Sequence, residues 1–309
     1  MRKGLLLTAV ALCAAMVAPA WAGAESSSYL TSNESLLAGT TLRLSEDTST
    51  EILHRVVLKG AIPIPGPDQW VTLTVRRESK VIRSRSLLTN PVNGHYRMRL
   101  RLTGCCDYVA QTVDGSDVSN SLPFEVTAPP TLEPGKQTRY FNYLLRHNGY
   151  HMGYVTDHYD ESTGLAIMAL RKVHDMERTE EYEPRLYEML LRGDAGFEPV
   201  HRDHERHVEV DLSRQVMALV ENGKATDVFH VSTGAFGTPT GEFSFYSRGP
   251  GYNAKGMYYS VYYSGNYATH GYYSVPTYPA SHGCVRNPEA YSVFIYDWIE
   301  LGDPMYVYD

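Results

Sequence analysis

Residues 269 to 286 read THGYYSVPTYPASHGCVR, and this stretch decides how the C-terminal part of the chain is interpreted. A cysteine attacks as its thiolate, so it needs a base or a positive field nearby, and His270 could be that base for Cys284. Gly283 places no side chain beside the sulfur, and the N–H groups of Gly283 and Cys284 could bind a developing oxyanion. A helix predicted to begin at Pro288 would favour the thiolate if its positive end faced the sulfur. The pattern predicts covalent catalysis by Cys284.

Other chemistries fit these residues less well. His270, His282 and Cys284 are also metal-ligand types, but structural zinc usually needs four ligands with a short pair spacing, and no second Cys or His pair lies close in the sequence. Cys284 could instead be an inert buried thiol, although the neighbouring glycine favours an accessible loop. A serine-type penicillin-binding enzyme would carry Ser-x-x-Lys, and no serine of this chain has a lysine three positions later. We therefore expect no metal and no cofactor.

These residues resemble the signature of the bacterial L,D-transpeptidase catalytic domain. His270-Gly271 is followed by a short loop and by Ser281-His282-Gly283-Cys284, with Arg286 as the polar residue two places on. Further matching segments lie upstream of the cysteine: Asp211 to Gln215, Thr238 to Gly241 and Tyr278 to Ala280. The resemblance covers the C-terminal third of the chain.

The resemblance implies a mainly β domain over residues 206–309 and a two-step acyl transfer on peptidoglycan. Cys284 would attack the peptide bond after the third residue of a stem tetrapeptide and release D-alanine, while His270 carries the proton. A carbonyl near Gly271 would orient His270. The family further implies residues that hold the loop and the substrate: Ser281, His282, Arg286, Tyr259 and Tyr272. It also implies that carbapenem β-lactams acylate Cys284.

The acceptor of the acyl group distinguishes three outcomes. Transfer to an amine of a neighbouring stem cross-links the wall, transfer to water makes an L,D-carboxypeptidase, and transfer to a protein anchors that protein. Tyr272-Tyr273 stands where a small polar residue is common in the family and could alter the acceptor. A non-catalytic peptidoglycan-binding protein is the alternative from a different class, and the intact Cys284 and His270 argue against it. We predict cross-linking.

Upstream, the hydrophobic pattern predicts two more domains, so the chain is expected to be multidomain and mainly β. Residues 40–128 contain short runs of period two, with arginines alternating between Tyr96 and Leu102, which favours an immunoglobulin-like β sandwich with a solvated arginine row. Helical spacing then predicts three helices within 131–200. The β pattern returns over 206–309, with Asn222-Gly223 as a hairpin turn. The histidines from 201 to 207 are interpreted as part of a solvated linker.

The helical segment resembles a small peptidoglycan-binding module found beside wall enzymes. The resemblance rests on these residues: Leu144-Leu145, Gly149-Tyr150, Asp157, Asp160, Thr163 and Ala166-Ile167. Leu170-Arg171 replaces the aromatic–glutamine pair of that module. The segment is predicted either to bind glycan strands or to act as a spacer.

Residues 1–24 have the pattern of a targeting segment. Arg2-Lys3, an apolar run from Leu5 to Val17 and small residues up to Ala24 follow the order of a secretory signal peptide at 1–24. A polar leader follows at 25–39. The apolar run is short for a membrane span, so a retained anchor is the less favoured alternative. We expect an exported protein of the periplasm, cell wall or extracellular space, with no integral membrane span after signal cleavage.

The net charge limits the classes of binding partner, and the cysteine content limits the possible disulfides. The formal net charge is −7 and no long run of Lys or Arg occurs, which argues against a nucleic-acid partner. Cys13 lies in the signal, which leaves Cys105, Cys106 and Cys284. A bridge between neighbouring cysteines is strained and rare, so packed or partly exposed thiols without a chemical role are the favoured interpretation of Cys105 and Cys106, with a bridge left open.

Overall fold

Two β-sheets pack on each other in the N-terminal part of the chain. The computed structural model describes residues 41–44, 49–115 and 117–309. The strands of this part are β1 (Thr41–Leu44), β2 (Ser49–Glu51), β3 (Arg55–Ala61), β4 (Trp70–Arg77), β5 (Lys80–Leu88), β6 (His95–Arg101), β7 (Asp107–Asp114), β8 (Asp117–Val118) and β9 (Leu122–Thr127). One sheet has the order β1-β3-β6, and the other has the order β2-β9-β7-β4-β5, with β8 paired to β7.

Alternation along the strands explains this sandwich. In β6, Tyr96 and Met98 are buried whereas Arg97 and Arg99 are exposed, as the period-two pattern predicted. The inward side chains of both sheets join one core. The mainly β fold class is confirmed, while the immunoglobulin-like topology of this part stays a prediction.

Three helices follow, and local signals explain their ends. They are α1 (Lys136–His147), α2 (Glu161–Val173) and α3 (Pro184–Arg192). A capping box opens α2, because Asp160 Oδ1 accepts from the Thr163 N–H at 2.9 Å and Thr163 Oγ1 accepts from the Asp160 N–H at 3.4 Å. Pro184 begins α3, and Gly193 ends it with a left-handed φ of 82°. All three helices lie within the segment predicted to be helical.

The C-terminal part holds nine further strands and one helix. They are β10 (Arg206–Asp211), β11 (Val216–Glu221), β12 (Lys224–His230), β13 (Gly241–Ser244), β14 (Ser247–Tyr252), β15 (Tyr258–Ser264), β16 (Tyr267–Tyr272), β17 (Val285–Pro288), α4 (Glu289–Trp298) and β18 (Pro304–Tyr308). One sheet has the order β12-β11-β10-β18-β13, and the other has the order β14-β15-β16-β17. The predicted hairpin turn joins β11 to β12, with a φ of 51° at Asn222 and of 71° at Gly223.

Strand β11 separates two hydrophobic cores. Val216, Ala218 and Val220 belong to the core shared with the sandwich and with α1 to α3. Met217 and Leu219, on the other face, belong to the core that includes residues of α4. Because both faces of this sheet are covered, β11 is a nearly continuous apolar run. Helix α2 packs directly on β11 and β12 of the C-terminal sheet, and the predicted domain boundaries stay predictions.

The interpretation of His207 as a solvated linker residue is wrong. His207 lies in β10 with 0% exposure, and its Nε2 lies 3.1 Å from Glu209 Oε1. Glu209 also accepts from the N–H groups of Val200 and His201 and from the Tyr308 hydroxyl. A buried carboxylate needs such partners, so the chain before β10 folds onto the sheet to supply them.

The interpretation of Cys105 and Cys106 as packed thiols is also wrong, because a disulfide joins them. Arg77 Nη1 donates to the Cys105 carbonyl at 3.0 Å, and Arg192 Nη2 lies 3.1 Å from Cys106 Sγ. Sequence position alone gave no sign of this pairing.

The predicted signal peptide, the leader and Cys13 lie outside the described residues. Within residues 41–44, 49–115 and 117–309, no helix has the length and apolar character needed to cross a membrane.

Replacing Asp160 with alanine is expected to destabilise the protein by about 1 kcal/mol, because the side-chain acceptor at the start of α2 is lost. Asp160→Asn keeps an N-cap oxygen and is expected to lose much less. Urea unfolding of both variants beside the wild type measures the difference. Equal stability of Asp160→Ala and the wild type would contradict the role given to this cap.

Candidate active site

The parallel pairing of β16 and β17 brings the two predicted catalytic residues to one face of a sheet. His270 in β16 pairs with Arg286 in β17. Because side chains alternate along a strand, His270 and Tyr272 project to the same face as Arg286. Cys284 lies directly before β17, two positions before Arg286, and continued alternation would put its side chain on this face as well.

Helix α4 covers the opposite face of the same strands. Asn287 Nδ2 donates to Thr269 Oγ1 at 3.2 Å, and Ser292 Oγ donates to Asn287 Oδ1 at 2.8 Å. A methyl group on Gly271 would overlap the Ser292 side chain, so the glycine allows α4 to approach β16 closely. The helix thereby fixes the strand that carries His270.

His270 is 3% exposed and has the tautomer that a base requires. Its Nδ1 donates to the Gly271 carbonyl at 2.8 Å. A carbonyl oxygen only accepts, so Nδ1 carries the proton and Nε2 is left to accept one. Burial lowers the pKa of His270 to about 4; the bond to Gly271 opposes this shift and the positive charge of Arg286 adds to it. The imidazole is therefore neutral at pH 7.

Cys284 is the free cysteine of the described residues and is partly exposed. Burial raises the pKa of its thiol, while the Ala268 N–H and the positive charges of Lys255 and Arg286 act in the opposite direction. Its Sγ lies 3.8 Å from the Asn266 carbonyl oxygen. The resting group is a protonated thiol, which must pass its proton to a base when it attacks.

Ser281 holds the backbone beside the thiol. Its hydroxyl donates to the Cys284 carbonyl at 2.6 Å and accepts from the Gly283 N–H at 3.0 Å. The Gly283 N–H is thus used inside the loop, which leaves the N–H of Cys284 as the remaining donor of the predicted oxyanion pair. Gly283 has a φ of 127°, and a Cβ there would overlap the Tyr267 ring, so this position requires glycine.

The expected action of a helix N-terminus on the sulfur does not fit the structure. Strand β17 lies between Cys284 and α4, and α4 begins at Glu289 and ends at Trp298. A four-residue strand spans about 13 Å. The helix dipole loses its effect beyond the first turn, so Arg286 and Lys255 supply the positive field instead.

Two of the predicted substrate residues lie beside His270. The Tyr272 ring meets the His270 ring edge to face, with 5.9 Å between centroids. The Arg286 guanidinium lies over the Tyr272 ring at 4.1 Å from its centroid. His282 is exposed in the loop before the thiol. Tyr259 instead packs against Tyr296 of α4, with 5.0 Å between centroids, so it is a packing residue of that helix.

Two site residues, Tyr267 and Thr233, were missed from the sequence. The Tyr267 ring packs on Gly283, and the hydroxyl of the buried Tyr263 lies 3.5 Å from the Gly283 carbonyl. The Thr233 carbonyl accepts from the N–H groups of Ala280 and Ser281 at 2.8 and 2.9 Å. No local signal marks Thr233, because its partners lie far along the chain. Tyr267 could be placed only after β16 had been paired with β17.

Metal ligation was considered for the same residues. Among the residues that the structure describes, no three His, Cys, Asp or Glu side chains come together as a group able to hold a metal ion.

Comparison with known proteins agrees with the resemblance seen in the sequence. Residues 205–307 match the YkuD family, described as the L,D-transpeptidase catalytic domain. The predicted similarity of the C-terminal third to that domain is confirmed. No curated protein matches the chain.

Several solved structures are similar to this chain. An L,D-transpeptidase from Xylanimonas cellulosilytica DSM 15894 is 27% identical, covers 58% of this chain and 97% of its own, and has a TM-score of 0.54. An L,D-transpeptidase from Stackebrandtia nassauensis is 20% identical, and the match covers 59% of this chain and 98% of that protein, with a TM-score of 0.37. An L,D-transpeptidase from Mycobacterium smegmatis is 12% identical, and the match covers 87% of this chain and 99% of that protein, with a TM-score of 0.31. The similarity to the first structure extends over more of the chain than residues 205–307.

Gly283→Ala is expected to lower the free energy of unfolding by about 1–3 kcal/mol, because the methyl group meets Tyr267 and the backbone is left-handed. Gly249→Ala is the matched control, since a Cβ on Gly249 meets no atom within 4 Å. Urea unfolding of both variants measures the effect. If the two variants were equally stable, the close packing of Tyr267 on Gly283 would be refuted.

Proposed function

From the match of residues 205–307 to the L,D-transpeptidase catalytic domain, we propose that this protein is a cysteine-dependent L,D-transpeptidase of peptidoglycan. Cys284 is the nucleophile and His270 is the base. The substrate is a stem tetrapeptide, and the product is a cross-link to a neighbouring stem. The observation that carries this proposal is the position of Cys284 directly before β17, the strand paired with that of His270, together with a His270 Nε2 that is left to accept a proton.

The first step forms a thioester. As Cys284 Sγ bonds to the carbonyl carbon of the third stem residue, the thiol proton moves to His270 Nε2. The carbonyl oxygen takes up the negative charge and accepts from the N–H of Cys284. When the intermediate collapses, the C–N bond breaks and His270 returns the proton to the nitrogen of the leaving D-alanine.

The second step transfers the acyl group. An amine of a neighbouring stem attacks the thioester carbonyl and gives a proton to His270. The C–S bond breaks, and the sulfur leaves as a thiolate that takes this proton back from His270. A new amide bond then joins the two stems, and the thiol and the neutral imidazole are restored.

The protonation states of Cys284 and His270 favour general-base catalysis. Burial raises the pKa of Cys284 and lowers the pKa of His270, so both groups are neutral before the substrate binds. Proton transfer therefore accompanies attack, and no stable thiolate is exposed to solvent oxidants. Arg286 and Lys255 stabilise the negative charge that develops on the sulfur.

Tyr272 and Arg286 are proposed to bind the donor stem. Both lie on the face of Cys284 and His270, and a guanidinium can pair with a stem carboxylate in two-point geometry. The exposed His282 is proposed to contact substrate at the rim of the site. Carbapenem β-lactams are proposed to acylate the same thiol, in keeping with the family resemblance.

The protein is proposed to be exported to the periplasm, cell wall or extracellular space, where peptidoglycan lies. The signal-peptide pattern of residues 1–24 supports this proposal. Binding of glycan strands by the helical segment stays a prediction. Arg171 is buried and donates to the Glu181 carbonyl, so it has a structural partner within that segment.

Incubation with purified disaccharide-tetrapeptide tests the reaction. Mass spectrometry is expected to detect a cross-linked dimer with loss of D-alanine, because Cys284 transfers the acyl group to an amine. Cys284→Ala removes the nucleophile, and His270→Asn removes the base while keeping a polar side chain. Both variants are expected to give no dimer.

The other products would change the conclusion. Tripeptide alone would make the protein an L,D-carboxypeptidase under those conditions. If the wild type gave neither product and Cys284 failed to react with iodoacetamide, a non-catalytic peptidoglycan-binding role would replace the proposal.

The rate of thioester formation is expected to fall as the pH drops through about 4, because protonated His270 cannot accept the thiol proton. This acid limb of the pH–rate profile would lie well below the pKa of about 6.5 that is ordinary for histidine. Arg286→Gln removes a charge that lowers the pKa of His270, so its acid limb should move to higher pH. Single-turnover rates measured across pH give the acid limb of the wild type and of Arg286→Gln. A wild-type acid limb near the ordinary histidine pKa would contradict this account.

A further inference from the structure

One lysine of helix α2 is buried against the C-terminal sheet. Lys172 is 1% exposed, and its Nζ donates to the carbonyls of Gln215 at 3.0 Å and of Val231 at 2.9 Å. Its third neighbour is His230 Nδ1 at 2.7 Å. Three acceptors need three N–H donors, so these bonds favour the ammonium form, whereas burial lowers the pKa of Lys172 to about 6.

His230 extends this contact to the loop of the proposed nucleophile. Its Nε2 lies 2.9 Å from the Val275 carbonyl oxygen. Because that oxygen only accepts, Nε2 carries the proton and Nδ1 accepts from Lys172. Val275 belongs to the loop of residues 273–284, which joins β16 to β17 and ends at Cys284.

Gln215 reaches the same loop by a second route. Its side-chain oxygen accepts from the Thr233 N–H at 2.8 Å, and its Nε2 donates to Thr233 Oγ1 at 2.6 Å. The Thr233 carbonyl then accepts from the N–H groups of Ala280 and Ser281. Ser281 in turn donates to the Cys284 carbonyl. Two chains of hydrogen bonds therefore lead from Lys172 to the loop that presents the thiol.

We propose that Lys172 is a positioning residue of the active site. It acts from α2, outside the matched residues 205–307, and holds the loop of residues 273–284 at Val275 and at Ala280-Ser281. It does not touch the reacting atoms, and its effect passes through His230 and Gln215. As a role in catalysis, this proposal rests on the proposed function of Cys284.

Lys172→Met in the full chain tests the proposal. Lys224→Met is the matched control, because Lys224 is exposed on β12, the strand that carries His230. Hydrogen exchange at the Ala280 and Ser281 amides is measured where circular dichroism shows each variant to be folded. Exchange in Lys172→Met is expected to rise at least about ten-fold, and exchange in Lys224→Met is expected to stay at the wild-type rate.

Activity gives the second readout. With tetrapeptide as donor, kcat of Lys172→Met is expected to fall at least about ten-fold while KM stays within about three-fold, because Lys172 acts on the loop through His230 and Gln215 and does not touch the substrate. In Lys172→Ala, added n-butylammonium is expected to restore part of kcat by replacing the lost ammonium. This variant also serves if Lys172→Met does not fold, with exchange then measured with and without n-butylammonium.

The outcomes separate the two proposals. Wild-type exchange and kcat in a folded Lys172 variant would overturn the positioning role. A wild-type protein that forms no acyl-enzyme would refute the proposed function instead, and the exchange rates would still decide whether Lys172 holds the loop.

Discussion

The parallel pairing of β16 with β17 is the constraint on which the site depends. Its register sets His270 beside Arg286 and turns the side chain of Cys284 to the same face. A slip of one residue would send the sulfur to the side covered by α4, because strand side chains alternate. Gly271 and Gly283 support this register, since the first admits α4 and the second admits the Tyr267 ring. The fold thus determines the chemistry through one strand pair.

Burial gives this strand pair its electrostatic character. A protein interior disfavours charge, so the thiol stays protonated and the imidazole stays neutral. In the proposed reaction, charge appears only as Cys284 attacks, where Arg286 and the backbone can stabilise it. The Ser281 hydroxyl occupies the Gly283 N–H and also binds the Cys284 carbonyl, which limits the backbone conformations of the nucleophile.

The upstream helices belong to the physical support of the C-terminal sheet. One face of β11 packs in the core shared with these helices, and the buried Lys172 is paired by acceptors of the C-terminal part. Glu209 shows the same dependence, because its partners come from the chain before β10 and from β18. Residues far upstream of residues 269–286 thus contribute to the packing of the C-terminal sheet.

The sequence by itself determined features that depend on neighbours a few positions apart. The three helices within 131–200, the Asn222-Gly223 turn and the motif from His270 to Cys284 were all predicted, because helical spacing, turns and loop motifs are local. Only the tertiary structure placed β17, since Asn287-Pro288 also resembles a helix start and a four-residue strand has little periodicity of its own. It alone buried His207 and Lys172 and packed the Tyr259 ring against Tyr296 of α4. Burial of a polar side chain is decided by partners distant in sequence, and those partners exist only once the sheets and helices have packed.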